Sequence, residues 1–263
     1  MFLDDDILVE PDYLTGLIQA QATCQSSIVV GTWDLWHTYT PDLSHSSQTL
    51  LDSGAYYTRF AEASSDDRDH NDAVVELPFR DIHSNNMALR REDYFKVGMM
   101  QPLEFSGSSM WCDLEFTYRA YRQGFRFFRS IKALCWHRDH SAESLDEFKK
   151  RLRVAAYRSV TLFQKHPELL VHIPMFYDKA PISWRQDQPL LIARKLVRIF
   201  LSSRPVLRSM EQIVNVLEKR SPTSGILPTL YRYITGGYIF QGYRQGLVDF
   251  GQADNRDEPV LLA

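Results

Sequence analysis

Apolar and polar positions alternate along the chain in blocks that read as strand and helix in turn, then as helix alone. Phe2 and Leu3 run into Asp4, Asp5 and Asp6, with Ile7, Leu8 and Val9 behind them, which reads as an apolar strand tipped with carboxylates. Residues 11–24 predict a helix, with Pro11 suited to its first turn and Leu14, Leu17 and Ile18 on one face. The run SIVVGTW, residues 27–33, predicts a strand beside the first. From His37 to Asp81 the chain turns polar, acidic and Ser-rich over 63–72, and reads as a long connection. Order returns over 82–90, followed by a short helix over 91–97 that Gly98 stops and a helix over 112–123 that Gly124 stops. Short strands are expected over 125–128 and 133–136.

Beyond His140 the period becomes helical throughout. Ser141 or Ser144 starts a long helix over 143–166 that Pro167 ends, and a connection bearing Pro174, Pro181 and Pro189 leads to helices over 190–202, 206–220 and 227–248. The expected fold class is α/β: a mixed sheet flanked by helices over 1–141, then an all-helical extension over 142–263.

A length of 263 residues and 44% hydrophobic content allow a sizeable core. Net charge of -3 argues against nucleic acid as a partner. Cys24, Cys112 and Cys135 are odd in number and unpatterned, which favours a reducing compartment and a cytoplasmic location. Neither a signal peptide nor an apolar run of membrane-spanning length stands out. Arg194, Lys195 and Arg198 lie among apolar residues, a pattern that fits either packing on the core or contact with an anionic membrane surface from the cytoplasmic side.

Adjacent carboxylates repel, so the acid run suggests a cation between them. If strand geometry continues, Asp4 and Asp6 share a face, and two hard oxygen ligands suit Mg²⁺ or Mn²⁺. Asp113, in the first turn of a predicted helix, is a candidate general base, since the helix dipole favours its ionised form. His137 ends an apolar strand and could complete the metal shell, tilting it toward Mn²⁺. Taken singly, each has a plainer reading: a solvated acidic run, a helix-stabilising acid, a surface histidine.

In order, however, the runs FLDDDILVEPDYL, NNMALRREDYFKVGMM, WCDLEFTYRAYRQGFRF and CWHRDH resemble glycosyltransferase family 2, of the GT-A fold, over residues 2–140. The resemblance implies an inverting transfer from a UDP-, GDP- or dTDP-linked sugar to a saccharide or lipid-linked hydroxyl acceptor, in cell-surface polysaccharide or glycolipid synthesis. Asp4 and Asp6 then match the DxD that holds Mn²⁺ or Mg²⁺ against the diphosphate, with Asp5 between them and His137 as a further ligand. Asp113 matches the catalytic base; Asn86, Trp111, Glu115 and Arg119 fall among the substrate-binding positions.

Cys112 departs from the acid usual before the base, and Met99 and Met100 from the usual residues after Gly98. Family members also carry a nucleotide-binding βαβ half before the DxD, so the resemblance implies a GT-A domain lacking that half. Two rivals are a catalytically inert module that binds a membrane surface or partner, and, less well matched, a DxD phosphohydrolase of the haloacid-dehalogenase type.

Overall fold

Apolar and β-branched runs build a mixed sheet of five strands: β1 (Ile7–Val9), β2 (Ser27–Leu35), β3 (Val74–Glu76), β4 (Met87–Ala88) and β5 (Arg126–His137). The computed structural model describes residues 1–23, 26–35, 74–101, 103, 110–137, 144–176, 178–221 and 223–251. Most of the expected connection over 37–81, together with Cys24 and residues 138–143, lies outside that set; its last residues form β3 and a 3-10 turn at Phe79–Asp81.

The order is β1-β5-β2-β4, with β2 parallel to β5 and β4 antiparallel to β2. Both β1 and β3 pair antiparallel with β5 on its other edge: β3 takes the first half, with Val74 opposite Ser130, and β1 takes the second, with Ile7 opposite His137. This mixed α/β architecture fits the expected class. The two short strands expected over 125–128 and 133–136 are instead one strand, because Arg129, Ser130 and Lys132 break the apolar pattern without breaking the backbone.

What the polar residues do mark is a bulge. Gly31 faces Ser130 but Thr32 faces Leu134, so residues 131–133 of β5 are left over. Helix α1 (Tyr13–Thr23) packs on this irregularity. A Cβ on Gly16 would sit 2.8 Å from the Ala133 nitrogen, and the Ser130 hydroxyl donates to the Gly16 carbonyl at 3.0 Å. Two more helices complete the layer: α2 (Arg91–Val97), ended by Gly98 at φ +96°, and α3 (Cys112–Arg122).

Contacts gather the described residues into two compact units, the second beginning in earnest at Ser144. It holds α4 (Leu145–Lys165), α5 (Pro189–Leu201), α6 (Arg204–Arg220) and α7 (Leu227–Gly251). Ser144 is the α4 cap, accepting from the Glu147 N–H at 3.2 Å.

Against α4 lies α7, and the approach depends on glycine: a Cβ on Gly242 would come within 2.1 Å of the Arg153 carbonyl oxygen. Gly242→Ala is expected to destabilise the chain by about 1–3 kcal/mol, since backbone on both sides must move. A melting temperature unchanged by the substitution would contradict this packing.

Two of the three basic residues of α5, Lys195 and Arg198, turn inward, while Arg194 is exposed. Lys195 is buried, donating to the Asp187 carboxylate at 2.6 Å and the Pro181 carbonyl at 2.9 Å. Arg198 is half-buried, its guanidinium bonded to Asp178 at 2.9 and 3.1 Å. Leu191, Lys195, Arg198 and Ser202 recur at helical spacing, so one inward stripe carries both cations. Among the described residues, no helix is long and apolar enough to cross a membrane.

Candidate functional site

The N-terminal acids do not end a strand; they precede one. The Phe2 N–H donates to the Met87 carbonyl at 2.7 Å and the Asp4 N–H to the Asn85 carbonyl at 2.9 Å, which lays the first residues along 85–87. The chain then turns, the Ile7 N–H donating to the Asp4 carbonyl at 3.4 Å, and β1 starts only after Asp6. Asp4 and Asp6 are thus neighbours across a turn, and strand alternation is not what relates them.

Register places the β1 start beside the β5 end, and so Asp6 beside His137: Asp6 Oδ2 lies 3.4 Å from His137 Nε2. The imidazole is buried and held edge-on to Trp33, with ring centroids 5.7 Å apart. Asp6 Oδ1 and His137 Nδ1 are buried without hydrogen-bond partners, an arrangement that costs free energy unless something fills it. The Asp4 carboxyl is pushed up, by desolvation first and then by the charges of Asp6, Asp5 and Asp113, against the pull of His137. Asp5 is exposed.

Asp113 lies in the first turn of α3, directly after two turn residues. Trp111, at φ +68°, occupies the left-handed region, a conformation costing a bulky residue about 1–3 kcal/mol and found disproportionately at functional sites. This kink delivers Asp113 to the 83–84 backbone. Its Oδ1 accepts from the Leu114 N–H at 2.8 Å; its Oδ2 accepts from the Ser84 N–H at 3.4 Å and lies 3.5 Å from His83 Nδ1. Burial pushes this carboxyl up, but the His83 imidazole and the two N–H groups outweigh it, and it sits below its ordinary 3.8.

A carboxyl depressed in the folded state stabilises the fold above its unfolded value and loses that contribution as pH falls through the folded one. Asp113→Asn is therefore expected to be less stable than the unmodified chain at neutral pH and to draw level with it well below pH 3.8. Denaturation midpoints measured across that range check it; a gap that widens toward acid would contradict it.

The remaining expected residues are placed as packing. Asn86 is buried, its amide donating to the Gly31 carbonyl at 3.2 Å and the Cys135 sulfur at 3.3 Å. Glu115 is 0% exposed, and both carboxylate oxygens accept from Arg119 Nε at 3.0 Å. Arg119 also donates to the carbonyls of Val97 and Met99, so this pair ties α3 to the end of α2. As placed, Glu115 has no oxygen to offer a ligand, and Arg119 spends its donors on the fold.

What does come together is Asp4, Asp6, Asp113 and His137, close enough for the Asp4 carboxyl to feel the other three. His83 and Asn85, whose buried Oδ1 has no partner, join this end of the sheet and were not singled out by sequence. The run IHSNN carried the signal, a histidine and an amide pair before the short strand β4. Among the described residues, no three His, Cys, Asp or Glu side chains converge tightly enough to hold a metal as they stand. Nonetheless two mutually repelling carboxylates beside an imidazole, with Asp6 Oδ1 unbonded, form a donor set that fits Mg²⁺ or Mn²⁺. No family model, curated protein or solved structure matches the chain.

Proposed function

We propose that the first unit bears the site of a metal-dependent inverting glycosyltransferase of the GT-A type, similar to family 2, using a nucleotide-sugar donor and a hydroxyl acceptor. The observation that carries this reading is the opposed pair of carboxyl environments. Asp113 is held ionised by His83 and two N–H groups, while Asp4 is pushed up by desolvation and then by the neighbouring charge of Asp6. An ionised carboxylate at a helix start is equipped to accept a proton; a crowded acid cluster is equipped to accept a cation.

Asp4, Asp6 and His137 would hold Mn²⁺ or Mg²⁺, which when bound neutralises charge on a leaving nucleoside diphosphate. Asp113 takes the proton of the acceptor hydroxyl as the acceptor oxygen bonds to the anomeric carbon, on the face opposite the departing diphosphate. His83 and the N–H groups of Leu114 and Ser84 fix the orientation of Asp113 and keep its charge.

The His83–Asp113 contact also supports a second assignment, in which the carboxylate orients His83 as the base. Release of nucleoside diphosphate from UDP-, GDP- and dTDP-sugars, with Mn²⁺ and an acceptor mixture, tests the proposal. Metal-dependent release is the expected result. Phosphate release without sugar transfer would overturn it in favour of a phosphohydrolase.

A further inference from the structure

The inward turn of Lys195 and Arg198 leaves α5 with an unusual outer face. Where a helix covering a core normally shows polar residues to solvent, this one shows Leu190, Leu196, Val197, Ile199 and Phe200. Leu190 is 74% exposed and Phe200 67%; Trp184, in the turn just before the helix, is 72% exposed. Apolar side chains of this size, contiguous along one helix, mark a surface that something covers.

Charge selects the occupant. No Asp or Glu occurs from Pro189 to Met210, while Arg194, Arg204 and Arg208 in that span are exposed, as is Arg185 beside Trp184. Lys195 and Arg198 are neutralised internally by Asp187 and Asp178, so the outward arginines set the sign of this face. A second copy of the chain would bring the same arginines against themselves, which costs free energy in a symmetric contact. An apolar face with an aromatic anchor and a cationic rim suits an anionic lipid surface, the rings and aliphatic chains entering the headgroup boundary and the guanidiniums meeting phosphates.

We propose that α5, with Trp184 and its flanking arginines, docks the second unit on an anionic lipid surface. This stands apart from the glycosyltransferase reading, because lipid binding is measured with no sugar nucleotide present.

The test is flotation of the full chain with phosphatidylcholine vesicles, with and without phosphatidylglycerol. Binding to the anionic vesicles only, weakened by salt, is expected. Val197→Asp with Phe200→Asp should abolish it, while Arg194→Gln should weaken it roughly fivefold. These side chains face solvent, so circular dichroism and the melting temperature should not change, which separates lost docking from lost folding.

Equal binding to neutral vesicles would overturn the role of charge. Binding untouched by the double substitution would overturn the role of α5. Failure to bind either vesicle would overturn the proposal outright, and a concentration-dependent dimer abolished by the same double substitution would assign the face to self-association instead.

Discussion

Replacing Asp113 with asparagine is expected to lower sugar transfer by about 10²- to 10⁴-fold, the usual worth of a positioned general base. The substitution preserves shape but removes the charge, the ability to accept a proton and one of the two oxygens that accept from the Leu114 and Ser84 N–H groups. Asp113 is available for the role because its surroundings keep it ionised, two N–H donors and an imidazole on a helix start approached through a strained tryptophan, and the same donors lower its basicity. Since Asp4, Asp6 and His137 lie elsewhere in the chain and keep their own contacts, metal-dependent donor binding should change little in the variant. An Asp113→Asn protein that transfers sugar within about threefold of the unmodified chain removes Asp113 from the chemistry. Loss of transfer in His83→Gln, with Asp113→Asn retaining it, assigns the base to His83 instead.

The largest effect on stability should come from the second unit, at Asp178. This carboxylate is 12% exposed and binds Lys179 at 2.7 Å and Arg198 at 2.9 Å. Burial pushes it up, but the two cations outweigh burial and hold it below its ordinary value. Asp178→Ala leaves an ammonium and a guanidinium in poorly solvated positions with no counter-charge, at a cost of about 3–5 kcal/mol. For a chain of this size that corresponds to a fall of at least ~6 °C in melting temperature. A fall below about 2 °C would mean that both cations find water easily and that the network contributes little.

Much of the fold is legible because it follows from punctuation and period. Gly98 does stop a helix, and does so with the positive φ that favours glycine. Ser144 does cap the long helix, and the C-terminal part is helical. Illegible are the features set by distant partners. The break in apolar pattern at Arg129–Lys132 suggests a gap between strands, whereas β2 pairs on both sides of a bulge at 131–133, with β3 before it and β1 after it, so the strand is continuous.

Direction is hidden in two places for related reasons. Apolar Phe2 and Leu3 make the acid run resemble a strand end, yet the acids form the turn Asp4–Ile7 that leads into β1. On α5, charge suggests the outward face, but Asp178 and Asp187, from outside the helix, draw Lys195 and Arg198 inward. At the site, the sequence singles out Asp113 and His137 by their positions at element ends. It does not reveal His83, whose significance comes only from a contact thirty positions away across the fold.

Calorimetric titration of the intact chain with UDP, GDP and dTDP, in Mn²⁺ and again in excess chelator, tests the central claim most directly. One of these nucleotides should bind with Mn²⁺ and not with chelator, and Asp6→Ala or His137→Ala should remove that binding while the metal-free protein keeps its folded circular dichroism spectrum. Metal-independent binding, binding that survives both substitutions, or no binding of any nucleoside diphosphate in Mn²⁺ would contradict the assignment of this acid and imidazole cluster to a sugar-nucleotide site.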